Sequence, residues 1–117
     1  MREIKFRYTY KRFGDGKIYQ IIYSLEAIEE GQTLHMQNNE LWYLIARDLF
    51  TGLNDKMKHE IYEGDIVNWK DIRDNSNGTS TISFSDGCFC VEDIDDPISP
   101  GLVEVIGNIY ENPELLI

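Results

Sequence analysis

Nucleophilic or metal chemistry in this chain would have to come from Cys88 and Cys90, from His35 and His59, or from a group of carboxylates. The cysteines stand two apart in a stretch that reads as a strand, so their side chains share a face and lack the geometry for an easy mutual disulfide. Both are expected as reduced thiols. A structural zinc site needs further ligands at characteristic spacing, and neither histidine is so spaced from the cysteines or from the other histidine. Asp65, Asp86 and Glu104 would form a carboxylate cluster only if their strands paired suitably, and an aspartate beside a glycine already has a backbone role in a turn. No Ser-His-acid arrangement is visible. The expectation is therefore a non-enzymatic protein with no catalytic residues, no metal and no cofactor.

Two stretches suit binding instead. Arg7, Tyr8, Tyr10, Lys11 and Arg12, with Phe13 beside them, interleave cations with aromatic rings. Nucleic acid could be held by such a set through phosphate contacts and base stacking. The plainer reading is a strand whose basic residues protect a sheet edge. Glu92, Asp93, Asp95 and Asp96 form an acidic run closed by Pro97. It lacks the spacing of a calcium loop and reads as a solvated segment. With Asp71, Asp74 and Asp86 it could also imitate a phosphate backbone and occupy a DNA-binding protein.

The elements that would carry these residues are mostly strands. Ile4, Phe6 and Tyr8 alternate with Lys5, Arg7 and Thr9, so one face is expected buried and the other charged. After Gly14-Asp15-Gly16 an apolar run resumes at Ile18, which predicts a hairpin. Ser24 can cap a short helical turn ending at Gly31. Residues 41–50 are ambiguous, but Trp42, Tyr43, Ile45 and Phe50 tip the reading to strand. Residues 51–60 read as an exposed polar connector, and Lys70 to Ser80 as a flexible loop. Ile61 to Val67 combines a Glu63-Gly64-Asp65 turn with an apolar strand, placing Tyr62, Ile66 and Val67 inward. Asp86-Gly87 predicts a hairpin between Phe84 and Phe89. Gly107 marks a bulge or a close backbone approach. Asn112 and Pro113 suit a helix start, with the apolar tail Leu115-Leu116-Ile117 packing back or onto a neighbour.

The expected fold is mainly β: a small, SH3-like, partly open barrel with an N-terminal β-hairpin extension and short helical turns. The alternative is α+β with a helix at 41–50. A single domain over 1–117 is expected, with the hairpin and extension in 1–50 and the barrel portion in 60–117. A chain of 117 residues can bury enough surface to fold without staples. Hydrophobic content is 42%, yet no apolar run reaches the roughly 18 residues of a membrane span. The N-terminus lacks the apolar core of a signal peptide, so a cytoplasmic location without membrane attachment is expected.

Formal net charge is −10, and all the excess lies after residue 60, where twelve acids face only Lys70 and Arg73. The first seventeen residues carry six basic side chains against Glu3 and Asp15. Opposite signs at the two ends favour docking of one end on the other.

The sequence resembles the YopX family of bacteriophage and prophage proteins. The resemblance rests on the opening Met1 to Arg7 and on Thr51-Gly52-Leu53 with Asp55-Lys56. It extends through Glu60 to Val67, Phe84-Ser85-Asp86-Gly87 with Phe89, and Glu104 to Leu116. Met57-Lys58 departs from it, since the family commonly has an Asn-Gly turn there, and Lys11 to Asn39 is variable. The resemblance implies a phage origin, action in the cytoplasm of a bacterial host, and no catalytic set to carry over. Tyr62, Gly64, Asp65, Phe84, Asp86, Gly87, Gly107, Asn112 and Pro113 read as fold determinants. The leading expectation is a self-associating interaction module, a homo-oligomer with a host or phage protein as the other class of partner. The alternatives are nucleic-acid binding by the basic hairpin and acidic nucleic-acid mimicry.

Overall fold

The computed structural model describes residues 3–117 and is mainly β, as the alternating pattern predicts. The chain divides into two compact units, the first ending at Phe50 and the second running Thr51–Ile117. Neither sheet closes into a barrel.

In the first unit, β1 (Lys5–Arg12) pairs antiparallel with β2 (Ile18–Ser24), from Lys5 opposite Ser24 to Lys11 opposite Ile18. Gly14 and Gly16, at φ 99° and 73°, turn the chain between them. Ser24 ends β2 and caps α1 (Leu25–Glu29), its Oγ accepting the Ala27 N–H at 3.1 Å. A second short helix, α2 (Leu34–Gln37), leads to β3 (Trp42–Asn54). Residues 41–50 are thus strand, and the helical alternative does not form. β3 runs antiparallel to β1, with Ala46 opposite Thr9 and Leu44 opposite Tyr10, so Ile45 is bulged. Tyr8, Tyr10, Tyr23 and Met36 form the core of this unit, flanked by Phe6, Ile21, Ile28, Trp42 and Leu44.

The face of β1 expected to be charged and solvated is not open. Arg7 and Thr9 are buried along with Tyr8 and Tyr10, and Arg7 lies in register opposite the equally buried Asp48 of β3. β1 is flanked by β2 and β3, so its basic residues do not guard an edge.

The second unit begins inside β3. Its residues beyond Phe50 were expected as an exposed connector, yet the strand continues to Asn54 beside β4 (Glu60–Tyr62). Thr51 Oγ1 donates to the Ile61 carbonyl at 2.7 Å, and the Asp55 N–H to that of His59 at 2.8 Å. The remaining strands are β5 (Asp65–Asp71), β6 (Ser76–Ser85), β7 (Cys88–Val91), β8 (Asp96–Pro97) and β9 (Val103–Asn108). They form a five-stranded antiparallel sheet in the order β8-β7-β6-β5-β9.

Lys70 to Ser80 is a tight hairpin rather than a flexible loop. β5 runs through Asp71 and β6 starts at Ser76. Between them the Asp71 and Asp74 carboxylates accept the backbone N–H groups of Arg73 and Ser76, and Asn75 takes φ 63°. Aspartates closing turns on their own backbone are what made this stretch look like a loop.

Ile61, Val67, Ile82, Val91, Ile98 and Val103 form the second core. Burying each such side chain contributes about 1.5–3 kcal/mol. The Glu63-Gly64-Asp65 turn feeds it. Gly64 takes φ 87°, its N–H donates to Ile82 and its carbonyl accepts from Ile109, while Asp65 Oδ2 accepts the Tyr62 N–H at 2.8 Å. Tyr62, Asp65, Ile66 and Val67 are all buried. Asp86 and Gly87 both have positive φ, 51° and 83°, the conformation of a two-residue hairpin turn of the primed type. Across it Phe84 and Phe89 meet edge to face at 5.1 Å.

Gly107 shows both features expected of it. The register slips between Ile66 and Val67, leaving Ile106 unpaired beside it, and a Cβ on Gly107 would fall 2.5 Å from Asn112 Oδ1. Asn112 therefore does not cap the 3-10 turn at Pro113–Leu116; its Oδ1 accepts the Asn108 N–H instead. Leu115, Leu116 and Ile117 stay exposed.

Candidate functional site

The basic hairpin does not present the residues expected of it. Arg7, Tyr8 and Tyr10 are interior, and burial pushes the Tyr10 phenol well above its ordinary pKa. Tyr8 packs edge to face on Tyr23 at 5.1 Å. None of the three can offer a ring face or a cation to a ligand.

A different set lies at the turn end of the hairpin, split between its two faces. Phe13 packs on Tyr43 at 4.6 Å, and Tyr19 on Trp42 at 5.6 Å with the Arg12 guanidinium 5.5 Å from the Trp42 ring. Lys11 lies opposite both Ile18 and Tyr43 in register, so the three share one face of the sheet. Phe13, Tyr19 and Tyr43 are all exposed, as is Ile45 in the bulge beyond them. Arg12 is engaged by Asp15, and that hydrogen bond holds the Asp15 carboxyl far below the usual range. The aromatics from residues 42–43 were invisible as partners of this hairpin because only strand pairing brings them to it.

Part of the acidic run is engaged within the chain. Glu92 accepts from Thr81 Oγ1, the Asp93 N–H donates to Ser80 Oγ, and Asp95 turns the chain at φ 50°. Asp96 pairs with Arg73, whose Nε and Nη2 also bind Asp71 at 2.9 and 2.6 Å. The Arg73 hydrogen bonds hold Asp71 down to a pKa of about 2.

This clamp lies at a cleft of about 420 Å³ in the second unit, lined mainly by Trp69, Ile72, Ile94, Pro97 and Leu102. Pattern reading missed it because the Lys70 to Ser80 stretch, which supplies Ile72 and Arg73, looked like a loop. Trp69 packs against Gly78 with its Nε1 buried.

The carboxylates Asp65, Asp86 and Glu104 take separate roles: Asp65 in the buried turn, Asp86 at an exposed hairpin tip, and Glu104 3.5 Å from Lys56. Cys90 is buried near Ser83 Oγ and Asp95, while the Cys88 thiol donates to the Ser85 carbonyl. His59 Nδ1 lies 3.6 Å from Asp55, and His35 sits on α2. Among the described residues no three His, Cys, Asp or Glu side chains are grouped to hold a metal ion. Nor is any described helix long and apolar enough to cross a membrane.

The fold is similar to the crystal structure of protein EF1440 from Enterococcus faecalis, at 22% identity and a TM-score of 0.56. That alignment covers 97% of this chain and 98% of the other. No curated protein matches the sequence. The YopX protein family matches residues 17–117. With nearly the whole chain matched, this protein belongs to the YopX family.

Proposed function

We propose that the chain is a non-enzymatic interaction module that works by self-association, encoded by a phage or prophage and acting inside a bacterial host. The observation that carries this reading is the exposed apolar surface of the first unit's sheet. On one face of that sheet Phe13 packs on Tyr43 beside Lys11, the two rings 59 and 38% exposed, and on the other face Tyr19, 49% exposed, packs on Trp42. Clustered exposed aromatic and aliphatic side chains commonly mark contact surfaces. The second unit is strongly acidic, with fourteen acids against Lys56, Lys58, Lys70 and Arg73, while the first seventeen residues are locally basic.

Light scattering across a protein concentration series at two salt concentrations tests the proposal. The expected result is a mass that rises with concentration. A monomer at high protein concentration and low salt removes self-association.

Nucleic-acid binding is the second reading, resting on the exposed ring pair Phe13–Tyr43 with Lys11 on the same face, and on exposed Lys17 in the turn that joins β1 to β2. Gel shifts with single- and double-stranded DNA and RNA decide it. Loss of a shift in a Lys11→Ala, Lys17→Ala variant supports it; no shift with the native chain at low salt ends it.

A further inference from the structure

We propose that two copies of the chain join edge to edge through β2, the strands pairing antiparallel about a two-fold axis to give one continuous sheet. The inference rests on the self-association reading and supplies its interface. β2 is the outermost strand of its sheet, with β1 as its strand partner. No described residue makes a backbone hydrogen bond to its outer side. A row of open N–H and C=O groups is a template for another strand, and edges are normally guarded by charge, proline, bulges or short length.

The other edges in this chain have such guards. β4 is three residues long, β8 is two and ends in Pro97, and β9 carries the Ile106 bulge and Glu104. β2 has none. It is seven residues, Ile-Tyr-Gln-Ile-Ile-Tyr-Ser, without a charge or proline, and its register with β1 is unbroken. Tyr19 and Ile22 project from it at 49 and 51% exposure.

Charge selects the partner and the direction. Exposed Lys17 precedes the strand, while exposed Glu26, Glu29 and Glu30 follow it. Antiparallel pairing with a second copy sets the basic end of each β2 beside the acidic end of the other, whereas parallel pairing would set like charges together. The register that pairs all seven residues centres on Ile21. It places Ile18 opposite Ser24, Tyr19 opposite Tyr23 and Gln20 opposite Ile22 of the second copy. A two-fold contact is self-complementary and closes, so it yields a dimer rather than a fibre.

Amide hydrogen exchange on the full chain at low and high concentration, with sedimentation equilibrium, tests this. At high concentration the outward amides of Ile18–Ser24 should exchange at least about tenfold more slowly than at low concentration. Ile22→Lys should be monomeric with an unchanged circular dichroism spectrum, while Leu41→Lys, an exposed change off the strand, should assemble normally. If the native chain assembles but Ile18–Ser24 exchange does not depend on concentration, the edge pairing is overturned and self-association stands. A native chain that stays monomeric overturns both. The exchange measurement needs no variant, so misfolding of Ile22→Lys would leave the test intact.

Discussion

Asp55 accepts three backbone N–H bonds, from Met57, His59 and Val105, each at 2.8 Å, and so ties the end of β3 to β9 from a buried position. Burial alone would raise its pKa; the bonds from Val105, His59 and Met57 outweigh that and hold it below the usual value. A carboxyl with a depressed folded pKa contributes stability above its unfolded pKa, near about 4, and that stability is lost as pH falls through the folded value. Asp55→Ala should therefore cost about 2–3 kcal/mol in urea unfolding at pH 7, because it leaves buried donors without acceptors. The gap between the two proteins should narrow toward pH 2. A gap that does not change with pH would show that packing, not the ionised carboxylate, is responsible. Three residues on, Lys58 sits at φ 67°. A glycine would adopt that conformation without strain, whereas a lysine Cβ is crowded there. Lys58→Gly should raise stability by about 1 kcal/mol, measured as a higher urea midpoint with the same slope.

At the scale of elements, the β5–β6 hairpin depends on Trp69 lying flat on Gly78, its register partner. A Cβ on Gly78 would stand 2.9 Å from Trp69 Cζ2, and a rigid indole cannot yield as a lysine tip would. Gly78→Ala should cost about 1–3 kcal/mol and shift Trp69 fluorescence, read in a Trp42→Phe background. An unchanged spectrum and midpoint would mean the strands separate easily at this point. The same hairpin shows how far pattern reading reached. Asp71, Asp74, Asn75 and Gly78 are loop-forming types, but three of them close the turn itself and Gly78 is part of a strand because an aromatic ring needs the space. By contrast Ser24, Gly64 and Asp86-Gly87 were legible in advance, since each acts on backbone groups within a few residues or through its own φ.

For the whole molecule, charge is divided as the folding units are. The second unit carries the net −10, while the first is balanced. Self-repulsion among fourteen acids in one unit opposes its compact state, and screening at 0.15 M salt has a length of about 8 Å. Raising salt from about 10 mM to 150 mM should therefore raise the melting temperature; a fall would indicate that ion pairs such as Arg73 with Asp71 and Asp96 outweigh the repulsion. The amino-acid sequence by itself determined the mainly β character, the turns and the helix cap, because alternation, Asp-Gly pairs and capping hydroxyls act within a few residues. Only the tertiary structure decided which strand lies at an edge, that Arg7, Tyr8 and Tyr10 are interior, and that Trp42 and Tyr43 pack on the hairpin's Tyr19 and Phe13. Those outcomes depend on pairing between residues some thirty positions apart, such as Lys11 with Tyr43. Period-two alternation marks a strand without naming its neighbours, so a central strand buried on both faces and an open edge look alike until the sheet is assembled.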